Sequence, residues 1–505
     1  MMKNCKKLYC IMLAVVLVLA STLSACTAAS DGSMSNMLAG GVYYESSLSN
    51  GMAAGESYTE IIENSFISTA EQTESYFSID ANTASYPNLR SLIKNGYSIP
   101  KDAVRVEEML NYFHYDYTAP DDGSILSLTA SVFDTPYNPD TKLLTIGLAA
   151  QEVEFAETKN NLVFLIDTSG SMFAADKLEL VQTAFMMLAE NLNPEDRVSI
   201  VTYAGSDTVA LQGAYGYETQ KIIAVIEDLK ASGSTAGSKG IETAYQLAER
   251  YFIEGGNNRV ILATDGDFNV GISDTEELKE LIAEKRDSGV YFSVFGVGRG
   301  NLQAEKMEAL ALNGNGTYSY IDSQTEARRA LVEQIGGSMI TVAKDVKAGV
   351  IFNPEYVDSF RLIGYENKLL TQEEFEDSAT DAGELGSGHT VTVVYEIKLK
   401  NTDAAPVTDE NLAQVAIRYK APDATADDAS QELLLDITGT AYHTELTEQD
   451  EFIASVVEFA LLLRDSEYKQ DASMLSLIAR LDGLDLSADE FKEEFRSIVK
   501  AYAEK

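Results

Sequence analysis

The chain has 505 residues, a formal charge of −41 and an apolar share of 45%. That length suggests about three domains, and that composition can fill real cores. Such an excess of acid repels phosphate backbones, which argues against nucleic acid as a partner and reads as a solvating surface.

The first residues read as a targeting segment. Lys3, Lys6 and Lys7 precede the apolar run Leu8–Ala20, which is too short to span a bilayer comfortably. Leu23-Ser24-Ala25-Cys26 follows and resembles the lipobox of bacterial lipoproteins, which implies a signal peptide over 1–25, cleavage before Cys26 and lipid on that cysteine. Cys5 and Cys10 would leave with the signal, so no thiol remains for a disulfide. Residues 26–75, rich in Ser, Gly, Ala and Met at their start, are expected to form the lipid anchor and a flexible tether.

Order is expected from about Tyr76. Residues 76–158 read as a short strand, a helix and an amphipathic stripe of Val106, Met109, Leu110 and Phe113, then two strands, ILSLTASVFD and KLLTIGLAAQEV. From 159 to 337 the pattern changes. VFLID, RVSIVTYA, RVILATDG and YFSVFGVG are strands without polar alternation, and amphipathic helices separate them. That is the signature of a mostly parallel, doubly wound sheet covered on both faces. Residues 338–443 are β-rich again. Strands on both sides of the α/β unit suggest that it is inserted into a β-sandwich formed by its flanks. Residues 444–505 read as helical, with stripes Phe452, Val456, Phe459, Leu463 and Phe491, Phe495, Ile498, Tyr502. The expected fold class is therefore multidomain α/β plus all-β, with a C-terminal helical region.

The chemistry concentrates at LVFLIDTSGSM, Leu162–Met172, where an apolar strand ends at Asp167. A serine nucleophile needs a base, and the chain holds only His114, His389 and His443, none of them in a recognisable catalytic motif. No Gly-x-Ser-x-Gly elbow surrounds Ser169 or Ser171. GSTAGSKG, Gly233–Gly240, fails as a phosphate loop because Ser238 precedes Lys239 and Gly240 follows it. GVGRG, Gly296–Gly300, lacks dinucleotide spacing. A metal site fits better. Ligands of an open α/β sheet gather beyond the C-terminal ends of its strands. Asp167, Ser169 and Ser171 follow one strand, Asp265 follows another, and Thr235 lies in a loop on the same edge. Two carboxylates and three hydroxyls offer only hard oxygens, which suits Mg²⁺ or Mn²⁺.

These motifs resemble a known family. DTSGSM, SGST ending at Thr235, and TDG at Thr264–Gly266 look like the three loops of a von Willebrand factor type A domain. The resemblance implies a metal-ion-dependent adhesion site formed by Asp167, Ser169, Ser171, Thr235 and Asp265. VRVEEMLNYFHYDY, DGDFNVG and LLRDSEYK further resemble the bacterial YfbK-type lipoproteins, with Asn82 standing where that pattern would carry Asp. Asp267 could join the site's periphery or be a solvated loop acid. The expected function is capture of a protein partner through an Asp or Glu carboxylate completing the coordination of a divalent ion, by a non-enzymatic protein held at the exported face of a membrane. A structural or assembly scaffold is the alternative. A metal-dependent hydrolase would need a general base that the motifs do not supply.

Overall fold

The computed structural model describes residues 56–120, 123–233, 238–266, 275–400, 409–425 and 428–505. The first flank contributes β1 (Ile67–Ser68), β2 (Glu74–Ser78), β3 (Leu126–Asp134) and β4 (Lys142–Ala150). The central segment supplies β5 (Asn160–Asp167), β6 (Arg197–Tyr203), β7 (Asp207–Tyr215), β8 (Asn257–Thr264), β9 (Tyr291–Val297) and β10 (Tyr318–Ile321). The second flank adds β11 (Thr341–Phe352), β12 (Val357–Ile363), β13 (Leu369–Leu370), β14 (Gly383–Gly386), β15 (Thr390–Leu399), β16 (Asn411–Lys420) and β17 (Gln431–Thr438).

The central sheet runs β10-β9-β8-β5-β6-β7 and is parallel except at β7. Every residue of β5 is buried, as expected for a strand with helices on both faces. Phe164 stacks on Phe185 of the helix Leu178–Glu190. Val163 and Leu165 face the opposite layer with Ile241, Ala244 and Ala248 of the helix Ser238–Arg250.

The flanks close on each other across the insertion. β4 pairs antiparallel with β15, from Thr390↔Ala149 to Ile397↔Lys142. β2 pairs with β11, from Lys347↔Ser78 to Ile351↔Glu74. The two resulting sheets, β1-β12-β15-β4-β3 and β13-β2-β11-β16-β17, share a core that includes Ile146, Phe352, Phe360, Tyr395 and Val415. Period-two alternation gives the first sheet a second apolar face. Phe133, Leu143, Ile363 and Val394 point there and pack with Phe113, Phe452, Phe459 and Phe495. The last helices, Glu448–Arg464, Met474–Asp482 and Glu490–Ala503, thus cover the outside of the sandwich. Thr447 accepts from the Asp450 N–H while its own N–H and hydroxyl donate to the Asp450 carboxylate, a capping box that fixes the start of the first. Asp465, left-handed at φ 53°, ends it.

Three features differ from the sequence expectation. The tether does not run to residue 75: the Ser57 N–H donates to Leu302 O at 2.9 Å, Glu56 pairs with Arg299 at 2.7 Å, and β1 adds to β12. Its apolar side chains, among them Tyr58, Phe66 and Ile67, pack on the fold without a sustained period, so no strand or helix pattern marks the stretch. β7 and the helix Thr219–Glu227 escape the α/β alternation, because a polar edge strand with an irregular register against β6 carries no continuous apolar run. Asn82 proves to be a strand clamp, its Oδ1 accepting from Tyr318 N–H at 3.0 Å at the start of β10.

His389 gives this fold a pH signature. Its Nδ1 accepts from Gly386 N–H at 3.3 Å, and its ring packs so closely on Gly337 that a Cβ there would meet it at 2.4 Å. Burial, with Arg329 nearby, lowers its pKa from 6.5 to about 4. The unfolded chain therefore binds the extra proton first, so this contribution is complete above about pH 6.5 and is lost as pH falls toward 4. His389→Gln is expected to flatten the acid limb of the stability profile between those limits relative to the parent chain. Urea midpoints at matched pH values check it, and parallel acid limbs would refute it.

Candidate metal centre

The turn after β5 begins with Asp167, fully buried at the strand end. The Ser169 N–H donates to Asp167 Oδ1 at 2.8 Å, folding the chain back so that Ser169 and Ser171 present their hydroxyls side by side, 2.9 Å apart. A short 3-10 turn, Gly170–Phe173, carries this arrangement into the next helix. Met172 anchors the turn in the core, whereas the neighbouring Phe173 is 83% exposed.

β8 brings the second acid. The Thr264 hydroxyl donates to Asp167 Oδ2 at 3.2 Å, tying the two strand ends together, and Asp265 follows, also fully buried. The third loop docks on the same edge through backbone contacts: Gly170 N–H to Gly233 O at 3.2 Å, and Ser232 N–H to Thr168 O at 2.7 Å. Thr235 and Asp267 lie outside the described residues, as does Cys26. The structure therefore brings together Asp167, Ser169, Ser171 and Asp265 of the expected set.

Two further side chains reach Asp265, and sequence reasoning missed both. Lys177, largely buried, donates from Nζ to Asp265 Oδ2 at 2.7 Å. Asn301 Nδ2 donates to the same oxygen at 3.2 Å. Lys177 reaches Asp265 across Gly298, where a Cβ would meet the lysine stem at 2.3 Å and where φ is +64°. The glycines of GVGRG are thus partly explained by the passage of this side chain. A lysine at the very start of a helix is mildly disfavoured by the helix dipole, too weak a mark to single it out from solvated surface.

The electrostatics are those of a crowded acidic pair. Burial chiefly, with Asp265 adding, raises the Asp167 pKa to about 6, against the lowering effect of the Ser169 hydrogen bonds. The donor set fits a hard divalent cation: two buried carboxylates and two adjacent hydroxyls, with no sulfur or imidazole among them.

The hydrolase alternative gains no support from the histidines. His114 is exposed. His443 Nε2 lies 2.9 Å from Asp450 Oδ2, and the Ser131 hydroxyl donates to Asp450 Oδ1 at 3.2 Å. Serine and imidazole thus meet the same carboxylate rather than each other, so this cluster lacks the serine-to-histidine contact of a nucleophilic triad.

A doubly wound sheet whose first strand ends in Asp-x-Ser-x-Ser, with a second acid at the end of the neighbouring strand, defines a von Willebrand factor type A domain. Residues 161–334 match the family model for that domain, residues 52–145 match a model described as von Willebrand factor, and residues 337–504 match "Uncharacterized protein YfbK, C-terminal". Protein YfbK of Escherichia coli (strain K12) is 38% identical over 426 residues, which cover 80% of this chain and 73% of that protein. The chain belongs to the YfbK family. Inter-alpha-trypsin inhibitor heavy chain H3 of Bos taurus is 27% identical over 193 residues, 36% of this chain and 21% of that protein. Among solved structures, von Willebrand factor type A from Catenulispora acidiphila aligns over 74% of this chain and 84% of its own, at 14% identity and a TM-score of 0.40. Type A domains generally mediate protein–protein interaction, often through a divalent metal at this edge.

Proposed function

We propose that this protein is a lipid-anchored capture protein of the cell envelope that binds a protein partner through a divalent ion in its type A domain. The observation that carries the reading is the convergence of Asp167, Ser169, Ser171 and Asp265 at one sheet edge. These residues, with Thr235 from the adjoining loop, would hold Mg²⁺ or Mn²⁺. When bound, such an ion supplies local positive charge that attracts an Asp or Glu carboxylate of the partner. Burial of both acids excludes water from one side of the centre, and exposed Phe173 offers apolar contact beside it. Cys26 would carry the lipid. No helix among the described residues is long and apolar enough to cross a membrane. The acidic surface penalises acidic partners at long range, so a mixed or basic partner surface around the carboxylate fits best.

The Lys177–Asp265 ion pair favours a second reading. A lysine that already neutralises Asp265 could let the domain serve as an envelope scaffold without metal. Melting temperature measured in EDTA and across a Mg²⁺ and Mn²⁺ series separates the two. Metal capture predicts a saturable rise. A flat response rejects it and leaves the scaffold.

A further inference from the structure

A second acidic centre lies where the type A domain returns to the sandwich. Oxygens of Asp345, Asp381 and Glu384 all fall within 4.8 Å of one another. The backbone builds this convergence. Asp345 is left-handed at φ 53°, within the irregularity where β11 shifts register against both β14 and β16. β14 pairs with that same stretch, Val346↔Gly383 and Ala343↔Leu385, and so brings Glu384 alongside it, with Asp381 just ahead of the strand.

Two of the three acids have basic partners. Asp381 meets Arg286 at 2.9 Å, and Asp345 meets Lys420 at 3.4 Å. Glu384 has none. It is only 5% exposed, and neither of its carboxylate oxygens has a hydrogen-bond partner among the described residues. Burial, with Asp345 and Asp381 adding, pushes its carboxyl well above the usual carboxylate range, so it stays protonated unless a cation reaches it. Its carboxylate converges with the other two, so the point where the three meet is where a cation would satisfy its unpartnered oxygens.

We infer that Asp345, Asp381 and Glu384 form a second divalent-cation site, selective for Ca²⁺, at the seam between the type A domain and the β-rich flank. Ca²⁺ accepts six to eight oxygens at about 2.3–2.6 Å and tolerates bidentate carboxylates, so its oxygen shell spans roughly 5 Å, matching the spread of this cluster. Mg²⁺ keeps several waters and is seldom held by a cage of protein carboxylates alone. The site is distinct from the first. Asp167 and Asp265 sit at the C-terminal ends of β5 and β8, whereas Arg286 closes the helix that leads into the start of β9, at the opposite edge of the sheet. Because Asp381 also holds Arg286 of the type A domain while Asp345 and Glu384 belong to the flank, a cation here would fasten the inserted domain to its sandwich.

The test uses the full chain carrying Asp167→Ala, which silences the other centre, and titrates it calorimetrically with Ca²⁺ alone. One Ca²⁺ per chain is expected, with a matching rise in melting temperature. Adding Glu384→Gln should abolish the heat of binding while the melting temperature in EDTA holds, since the amide closely matches the protonated carboxyl that burial favours without metal. Asp381→Asn, at the most exposed of the three acids, keeps a hydrogen-bonding oxygen for Arg286 and should also lose binding. Absence of Ca²⁺ binding in the Asp167→Ala chain at millimolar concentration overturns the site, and so does unchanged affinity in both ligand variants. Neither result bears on metal capture at Asp167, which is read separately with Mg²⁺ and Mn²⁺ in the parent chain.

Discussion

Replacing Asp167 with alanine is expected to remove the stabilisation by Mg²⁺ or Mn²⁺ completely, and metal-dependent partner binding with it. A ligand that binds only the folded chain stabilises by mass action, about 2.7 kcal/mol at a hundred times its dissociation constant. In a cooperative unit the size of the type A domain that corresponds to a rise of roughly 5–10 °C in melting temperature. Asp167 is the residue on which the centre depends. One of its oxygens sets the Ser169 turn, and the other ties β5 to β8 through Thr264. Alanine would therefore remove a proposed ligand and loosen the hydroxyl pair together. In EDTA the variant should suffer much less, because a carboxylate raised to about 6 by burial is itself a cost to the fold. Lys177→Met is the informative companion. It strips Asp265 of its ammonium partner, so the variant should be weakened in EDTA and recover with metal. Should Asp167→Ala respond to Mg²⁺ as the parent does, the ion is not held here.

The order of legibility follows the physics of each feature. Strands β5, β6, β8 and β9 could be read because burial on both faces forces continuous apolar runs. The insertion could be anticipated because strands flank the α/β unit on both sides, although only coordinates reveal that β4 meets β15 and β2 meets β11. Asp167 and Asp265 stood out as carboxylates ending apolar strands. Lys177 did not, since a single lysine before an amphipathic helix looks like solvated surface until Gly298 is seen to clear its path. Glu384 was equally silent: a lone acid in the short strand GELG acquires meaning only when the β11 bulge brings Asp345 beside it. Patterns of burial are local in sequence, whereas charge partners are long-range.

The largest loss of stability is expected from Arg90, whose guanidinium joins three segments far apart in the chain. It stands on the helix Ser85–Lys94 and is almost fully buried. It reaches Asp322 at 2.5 Å and Glu326 at 2.8 Å beyond β10, and Glu494 at 2.7 Å on the last helix, while Tyr112 OH accepts a further bond at 2.9 Å. Arg329 also pairs with Glu326, so burial fails to raise that acid and the two arginines hold it below the usual carboxylate range. No second arginine pairs with Asp322 among the described residues, and burial already pushes its pKa up despite Arg90. Arg90→Met preserves apolar volume but strands Asp322 and half of Glu326 in a dry interface. Breaking a buried pair from one side costs about 3–5 kcal/mol, because the remaining charge stays desolvated. Against a total of roughly 5–15 kcal/mol, that is a large share. Urea denaturation should show the midpoint falling accordingly, and adding Asp322→Asn to Arg90→Met should recover part of it. A midpoint within error of the parent would mean that solvent reaches these acids and that the three segments are held by their aromatic contacts alone.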